Sequence, residues 1–181
     1  PPLSSAEGRN VRGVRRLGKR VVLELDGGPF LAVHLMIAGR FHWKDAPRAP
    51  VPRKVGLAAF DVPGATLLLT EASPKKRAAL HVVADEASLA ALSRGGVEPL
   101  EADAAAFAAG LRSESHTVKR ALTDPRLFSG IGNAYSDEIL HAARMSPFAL
   151  TRSLDDAEVA RLFAATRATL SSWVERLRAE A

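Results

Sequence analysis

The chain has 181 residues, 25 Lys and Arg against 20 Asp and Glu, and no cysteine, so disulfides, thiolate metal sites and cysteine nucleophiles are excluded. Its 47 % hydrophobic content, rich in Leu, Ala and Val, marks a folded globular chain rather than a disordered one. No apolar run approaches the roughly 20 residues that span a bilayer, and the net charge of +5 suits a nucleic acid, an acidic membrane surface or an acidic protein.

In chain order, "PPLSSAEG" reads as a loop, and a chain that opens inside a loop without an initiator Met reads as a piece of something longer. "KRVVLELDGGPFLAVHLMIAGRFHW" predicts a hairpin, with strands over Val21–Leu25 and Phe30–Leu35 and "DGG" at the turn. "KDAPRAPVPRK" is Pro-rich and basic, a surface loop. "GLAAFDVPGATLLLTEA" repeats the hairpin form with Pro63 and Gly64 at its turn, and short strands joined this way predict an antiparallel sandwich or barrel. From Asp85 the spacing turns helical: helices are predicted over Glu86–Ser93, Asp103–Leu111, Thr117–Thr123, Ala134–Arg144 and Asp155–Arg178. The last is amphipathic, with Val159, Leu162, Phe163, Thr166, Leu170, Trp173, Val174 and Leu177 at intervals of three and four. Ser153 with Asp156 is its expected capping box, and Pro147 is expected to end the helical region before it. The fold class is therefore α+β, with a β domain over residues 1–84 and a helical domain over 85–181.

"SGIGNAYSDEIL", Ser129 to Leu140, sets two glycines and an asparagine in front of a helix. Asn133 alone could cap that helix by accepting a backbone N–H. Gly130 and Gly132 add positive-φ freedom and a close approach of the backbone to another body. Free N–H groups and the positive end of the helix dipole then suit an anion such as phosphate. From this short motif alone, an ordinary capped turn and an anion site are equally good readings.

The flanking sequence widens the motif. "HTVKRALTDPRLFSGIGNAYSDEILHAARMSP" is a short helix carrying Lys119, a turn-rich linker, the glycine loop and a second helix. It resembles the helix–two-turn–helix module of the formamidopyrimidine-DNA glycosylase and endonuclease VIII family. The resemblance implies that Lys119, Asn133 and the loop of Gly130 and Gly132 hold a DNA phosphate. "VRRLGKRVVLELDGGPFLAVHLMIAGRF" resembles the hairpin of the same family, and Lys19 falls on the lysine that points into its active-site cleft and assists strand cleavage. His34 and Gly39 match the pattern, while Ile37 stands where the family has Met. The resemblance implies that Ile37 is a wedge filling the space of a flipped base; a strand residue packed in the core is the competing reading. "GGVEPLE", Gly95–Glu101, matches the segment before the helical domain and carries no chemistry. "TEASPKKRAALHVV" departs from the family's "Thr-Asp-Pro-Arg-Arg-Phe-Gly": the Phe is missing, and Arg77 or Lys76 is left to take the arginine's role.

The resemblance runs from about Arg9 to the C-terminus. It implies a bifunctional DNA glycosylase and AP lyase acting on oxidised bases, in an incomplete antiparallel β-sandwich followed by the helix–two-turn–helix domain. It further implies double-stranded DNA with a damaged base as the partner, a monomer for the complete protein, and a place in the cytoplasm, at the bacterial nucleoid. The family nucleophile is an N-terminal proline followed by glutamate. Here Pro2 follows Pro1 and Lys19 lies too near, so Pro1 reads as coincidence and this chain alone as inactive. No cofactor or metal is expected within the chain, since the finger that carries structural zinc in many members is not in it. A non-catalytic DNA-binding relative that keeps the phosphate clamp is the alternative, and an RNA-binding module is a third possibility that leaves the Lys19 hairpin without a role.

Overall fold

A computed structural model of the chain describes residues 1–180, which divide into two compact units, the first over residues 1–90 and the second from residue 91 onward. The first unit is built of two antiparallel sheets. One has the order β1–β2–β3–β7, with β1 Val11–Leu17, β2 Arg20–Leu25, β3 Phe30–His34 and β7 Ala79–Val83. The other has the order β4–β6–β5, with β4 Gly39–Lys44, β5 Gly56–Val62 and β6 Ala65–Glu71. Turn chemistry explains the hairpins. Gly18 takes φ 59 at the first position of the two-residue β1–β2 turn, the place a type II′ turn reserves for glycine. Pro63 and Gly64, the latter at φ 83, supply the fixed φ and the left-handed residue that close β5 onto β6.

Both predicted hairpins are present, with the first ending at His34 rather than Leu35. β1 was not expected. It is an edge strand, largely exposed and studded with Arg12, Arg15 and Arg16, so it shows no apolar alternation. β2, β3 and β6 are the central strands: Val22, Ala32 and Val33 are fully buried, as are Leu68 and Leu69 within a few per cent. Phe60 of the second sheet packs on Leu23, Leu25 and Leu31 of the first, so apolar faces of the two sheets meet as in a sandwich. The short helix α1, Glu86–Ala90, belongs to this unit; its Glu86 accepts from Arg15 of β1 at 2.5 Å. The helix predicted to run to Ser93 stops at Ala90, because Gly95 at φ 80 and the Ser93 Oγ that accepts its N–H turn the chain instead.

The second unit holds α2 Ala104–Arg112, α3 Val118–Thr123, α4 Asn133–Ala142 and α5 Asp156–Glu180. Its core is aromatic: Phe107 lies 4.7 Å from Phe128 and 5.2 Å from Phe163 between ring centroids, and the first two rings are fully buried. Two expected helix boundaries are corrected. The capping box of α5 is Asp155 with Glu158: Asp155 Oδ1 accepts from Glu158 N at 2.7 Å, and Glu158 Oε2 accepts from Asp155 N at 3.1 Å. Ser153 instead donates to Leu150 O, in a turn that precedes the helix. Nor does Pro147 end α4. Arg144 takes φ 49, and the bonds Met145 N to Leu140 O and Arg144 N to His141 O make a Schellman closure three residues earlier.

Candidate nucleic-acid interface

In the helical unit the glycine loop is set by a splint. Val97 pairs in parallel with Phe128, accepting from Ser129 N at 2.8 Å and donating to Leu127 O at 2.9 Å. Gly96 permits that approach, since a Cβ there would lie 2.6 Å from Pro125 O and 2.9 Å from Phe128 N. The splint holds the chain up to Ser129, and Gly130 then turns it at φ 83. Gly132 is extended (φ −116, ψ −177) and is itself the N-cap of α4, making no side-chain capping bond. Asn133 is therefore the first helical residue and not the cap expected of it. Its exposed side chain is uncommitted among the described residues, while the first N–H groups of α4 have no side-chain acceptor.

Lys119, on the first turn of α3, reaches across to α4. Its Nζ lies 2.6 Å from Asp137 Oδ1 and 2.9 Å from Oδ2. Asp137 and Asn133 are four residues apart and share one face of α4. The ammonium thus lies on the face of α4 that carries Asn133, one turn from the helix start that follows the glycine loop. Asp137 was not singled out in the sequence, although its place in the helix start was visible. α3 is pointed this way by its own anchors: Val118 N donates to Ala149 O at 2.8 Å, and Thr117 Oγ1 accepts from Arg120 N at 3.4 Å.

In the β unit, strand register brings a second group to one end of the first sheet. Arg20 pairs with His34, and His34 pairs with Ala79. The Gly18–Lys19 turn, the 35–38 loop after β3 and the 72–78 loop before β7 therefore meet at that end. Lys19 is exposed at the turn tip, yet partial burial lowers its pKa below the ordinary lysine value. Burial also lowers the pKa of His34, helped by the charges of Arg20 and Lys19 and by His81. A less basic amine is easier to use in proton transfer near neutral pH.

Ile37 is 87 % exposed, so the reading of it as a packed core residue is overturned. It projects from a stiff loop in which Met36 N donates to His34 Nδ1 at 3.0 Å, Gly39 N to Leu35 O at 2.9 Å, and Arg40 to the Ile37 and Gly39 carbonyls at 3.1 and 2.7 Å. Met36, 44 % exposed, stands beside it at φ 54. Arg77 and Lys76 separate. Lys76 Nζ donates to Lys54 O at 3.1 Å and to Glu71 O, so it ties the 72–78 loop together. The exposed Arg77 guanidinium makes no hydrogen bond or ion pair among the described residues. Glu71, 1 % exposed, accepts from the backbone N–H groups of Arg77 and Ala78, which depress its pKa. Neither Glu71 nor Arg40 was foreseen; both act on backbone atoms, which no side-chain pattern advertises. No group of three or more His, Asp or Glu able to hold a metal ion occurs among the described residues. No described helix is long and apolar enough to cross a membrane.

Comparison with known proteins covers both groups. Residues 3–82 match the family model of the formamidopyrimidine-DNA glycosylase N-terminal domain, and residues 96–179 match that of the formamidopyrimidine-DNA glycosylase H2TH domain. The chain is 37 % identical over 174 residues to the formamidopyrimidine-DNA glycosylase of Thermus thermophilus, covering 94 % of this chain and 62 % of that one. It is 36 % identical over 171 residues to the enzyme of Moorella thermoacetica, covering 92 % and 61 %. The crystal structure of MutM (Fpg) from Thermus thermophilus superimposes with a TM-score of 0.80 over 94 % of this chain and 62 % of its own. MutM in complex with DNA containing carbocyclic 8-oxo-G, at 21 % identity, shares the fold with a TM-score of 0.84 over 95 % and 65 %. The chain thus spans about 62 % of the length of the first of these relatives. With both domain models matched in order, it belongs to the formamidopyrimidine-DNA glycosylase family.

Proposed function

We propose that the protein is a base-excision-repair DNA glycosylase and AP lyase acting on oxidised bases in double-stranded DNA, in the cytoplasm at the nucleoid. The observation that carries this reading is the Lys119 group: an ammonium held on the Asn133 face of α4, beside uncapped N–H groups and a glycine loop. Such a group binds a phosphate by full charge, amide and backbone donors together. It positions the duplex backbone without reading sequence.

The β-unit group serves the chemistry. A base must leave the stack before the sugar carbon can be reached. The exposed, stiffly held Ile37 is the wedge that occupies the vacated space, and the free guanidinium of Arg77 contacts the opened strand. Lys76 helps hold the loop that presents Arg77. A secondary amine, supplied outside the residues assigned here, attacks the sugar C1′ and displaces the base. The C1′–O4′ bond then opens, with O4′ taking up a proton, to leave an iminium Schiff base, which loses a C2′ proton as the C3′–O bond breaks with departure of the phosphate. Lys19, with its lowered pKa, assists this elimination near neutral pH.

The test is duplex binding as a function of salt. Lys119→Ala should weaken binding equally for an intact duplex and for one carrying a tetrahydrofuran abasic analogue. It should also lower the slope of log affinity against log salt by about one. Asn133→Ala should weaken binding with little change in slope, and the two substitutions should be non-additive. Unchanged affinity and slope in Lys119→Ala would refute the clamp.

A further inference from the structure

Phe148 has no role in this account. It is 81 % exposed, among the most exposed large apolar side chains of the chain. Its position is fixed. Ala149 N donates to Ser146 O at 3.1 Å, Phe148 N to Ser146 Oγ at 3.3 Å, Val118 N to Ala149 O at 2.8 Å, and Thr151 N to His116 O at 2.9 Å. These bonds lash residues 146–151 to the start of α3. Phe148 and Pro147 form one wall of a hollow of about 370 Å3, whose other walls are Thr117, Lys119, Arg120 and Thr123. Arg120 is exposed, and its guanidinium makes no hydrogen bond or ion pair among the described residues. No carboxylate lines the hollow. One of its walls, Lys119, is the residue whose ammonium is paired with Asp137.

We infer that this hollow is a second contact for the DNA backbone, in which Phe148 packs on the sugar or base next to the clamped phosphate and Arg120 takes the following phosphate. The inference rests on the clamp reading. Charge selects the occupant: the unpaired guanidinium of Arg120 and the absence of a carboxylate from the walls favour a polyanion, and Lys119, whose ammonium is paired with Asp137, is common to both contacts. On a fixed backbone the Phe148 side chain has only two torsions to order on binding, and stacking on one nucleotide is sequence-tolerant. Arg suits the neighbouring phosphate because its planar fork donates two hydrogen bonds at once.

The experiment measures affinity of the full chain for a duplex containing the tetrahydrofuran analogue at several salt concentrations. Phe148→Ala should weaken binding at least about fivefold, consistent with loss of one stacking contact, and leave the salt slope unchanged. Phe148→Leu should recover part of that loss by keeping apolar area. Arg120→Ala should lower the slope by about one. Because Phe148 is 81 % exposed, its removal opens no core cavity, and unchanged melting of the variants checks this. If Phe148→Ala stays within twofold of the parent while Lys119→Ala loses affinity and slope, the clamp stands and the second contact is refuted. If Lys119→Ala is also without effect, the clamp reading falls with it. If Phe148→Ala leaves DNA binding intact but weakens binding of a hexaglutamate peptide carrying one Phe, the hollow docks an acidic protein and the DNA assignment is overturned.

Discussion

In the proposed clamp, replacing Asp137 by Asn removes an acid that competes with the phosphate for Lys119. In the free protein both carboxylate oxygens lie within 2.9 Å of the ammonium, with side chains 31 % exposed for Lys119 and 53 % for Asp137. An ion pair so open to solvent contributes about 0.2–1 kcal/mol. A phosphate held by Lys119 must share or displace that partner, and it sits near a like charge. At ~6 Å in water-like dielectric such repulsion costs about 0.7 kcal/mol. Taken together, the carboxylate opposes binding by about 1 kcal/mol, so Asp137→Asn should tighten duplex binding about fivefold. The gain should shrink as salt rises, since screening acts on both parts. In a Lys119→Ala background only the repulsion remains to be relieved, and the gain should fall to about threefold. Fluorescence anisotropy of a labelled duplex across a salt series measures all four proteins. Weaker binding by Asp137→Asn would refute the reasoning and show that the carboxylate orients Lys119 for the phosphate.

Gly130→Ala places a Cβ at φ 83 and should cost about 1–2 kcal/mol of stability, read by urea unfolding, with weaker DNA binding as the loop shifts. Asp155→Ala removes the cap of α5 and should cost about 1 kcal/mol, whereas Ser153→Ala should cost less than half of that in the same assay. Asp124 is held at about 2, from an ordinary 3.8, by the Arg126 guanidinium and backbone N–H. That depression corresponds to about 2 kcal/mol at most, and the 54 % exposure of Arg126 reduces it to about 1 kcal/mol. A depressed carboxylate contributes fully above its unfolded pKa and loses its contribution as pH falls through the folded one. Asp124→Asn should therefore melt about 3 °C below the parent at pH 7 and alongside it near pH 2, by calorimetry.

Much of the architecture was legible because local chemistry and burial agree. "DGG" and Pro63–Gly64 allow few conformations other than turns, and the spacing of Val159, Leu162 and Thr166 marks the buried stripe of α5. β1 was hidden because an edge strand guarded by arginines carries no alternation. Helix ends were misjudged where backbone geometry decides. Arg144 closes α4 in a left-handed conformation that no residue preference favours, and two adjacent acids left the capping pair of α5 ambiguous. The helix–loop–helix frame that carries Lys119 and Asn133 was readable because its residues keep a motif spacing. Lys76 and Arg77 were not separable, since which of two neighbouring cations turns inward depends on the path of the 72–78 loop. Ile37 could not be placed either, because an apolar residue between two strands fits a core or a tip equally.

The buried carboxylate of Glu71 has an evolutionary consequence. By accepting the N–H groups of Arg77 and Ala78 while its own carbonyl receives Lys76, it encodes the path of the 72–78 loop in a residue outside the loop. Side chains at 74 and 75 are then free to vary without unfolding the segment, whereas Ser73 Oγ accepts from Lys75 N within it. A lineage can exchange the exposed residues of this loop while the scaffold that presents them stays constant. Selection on the loop surface and selection on folding act here on different positions.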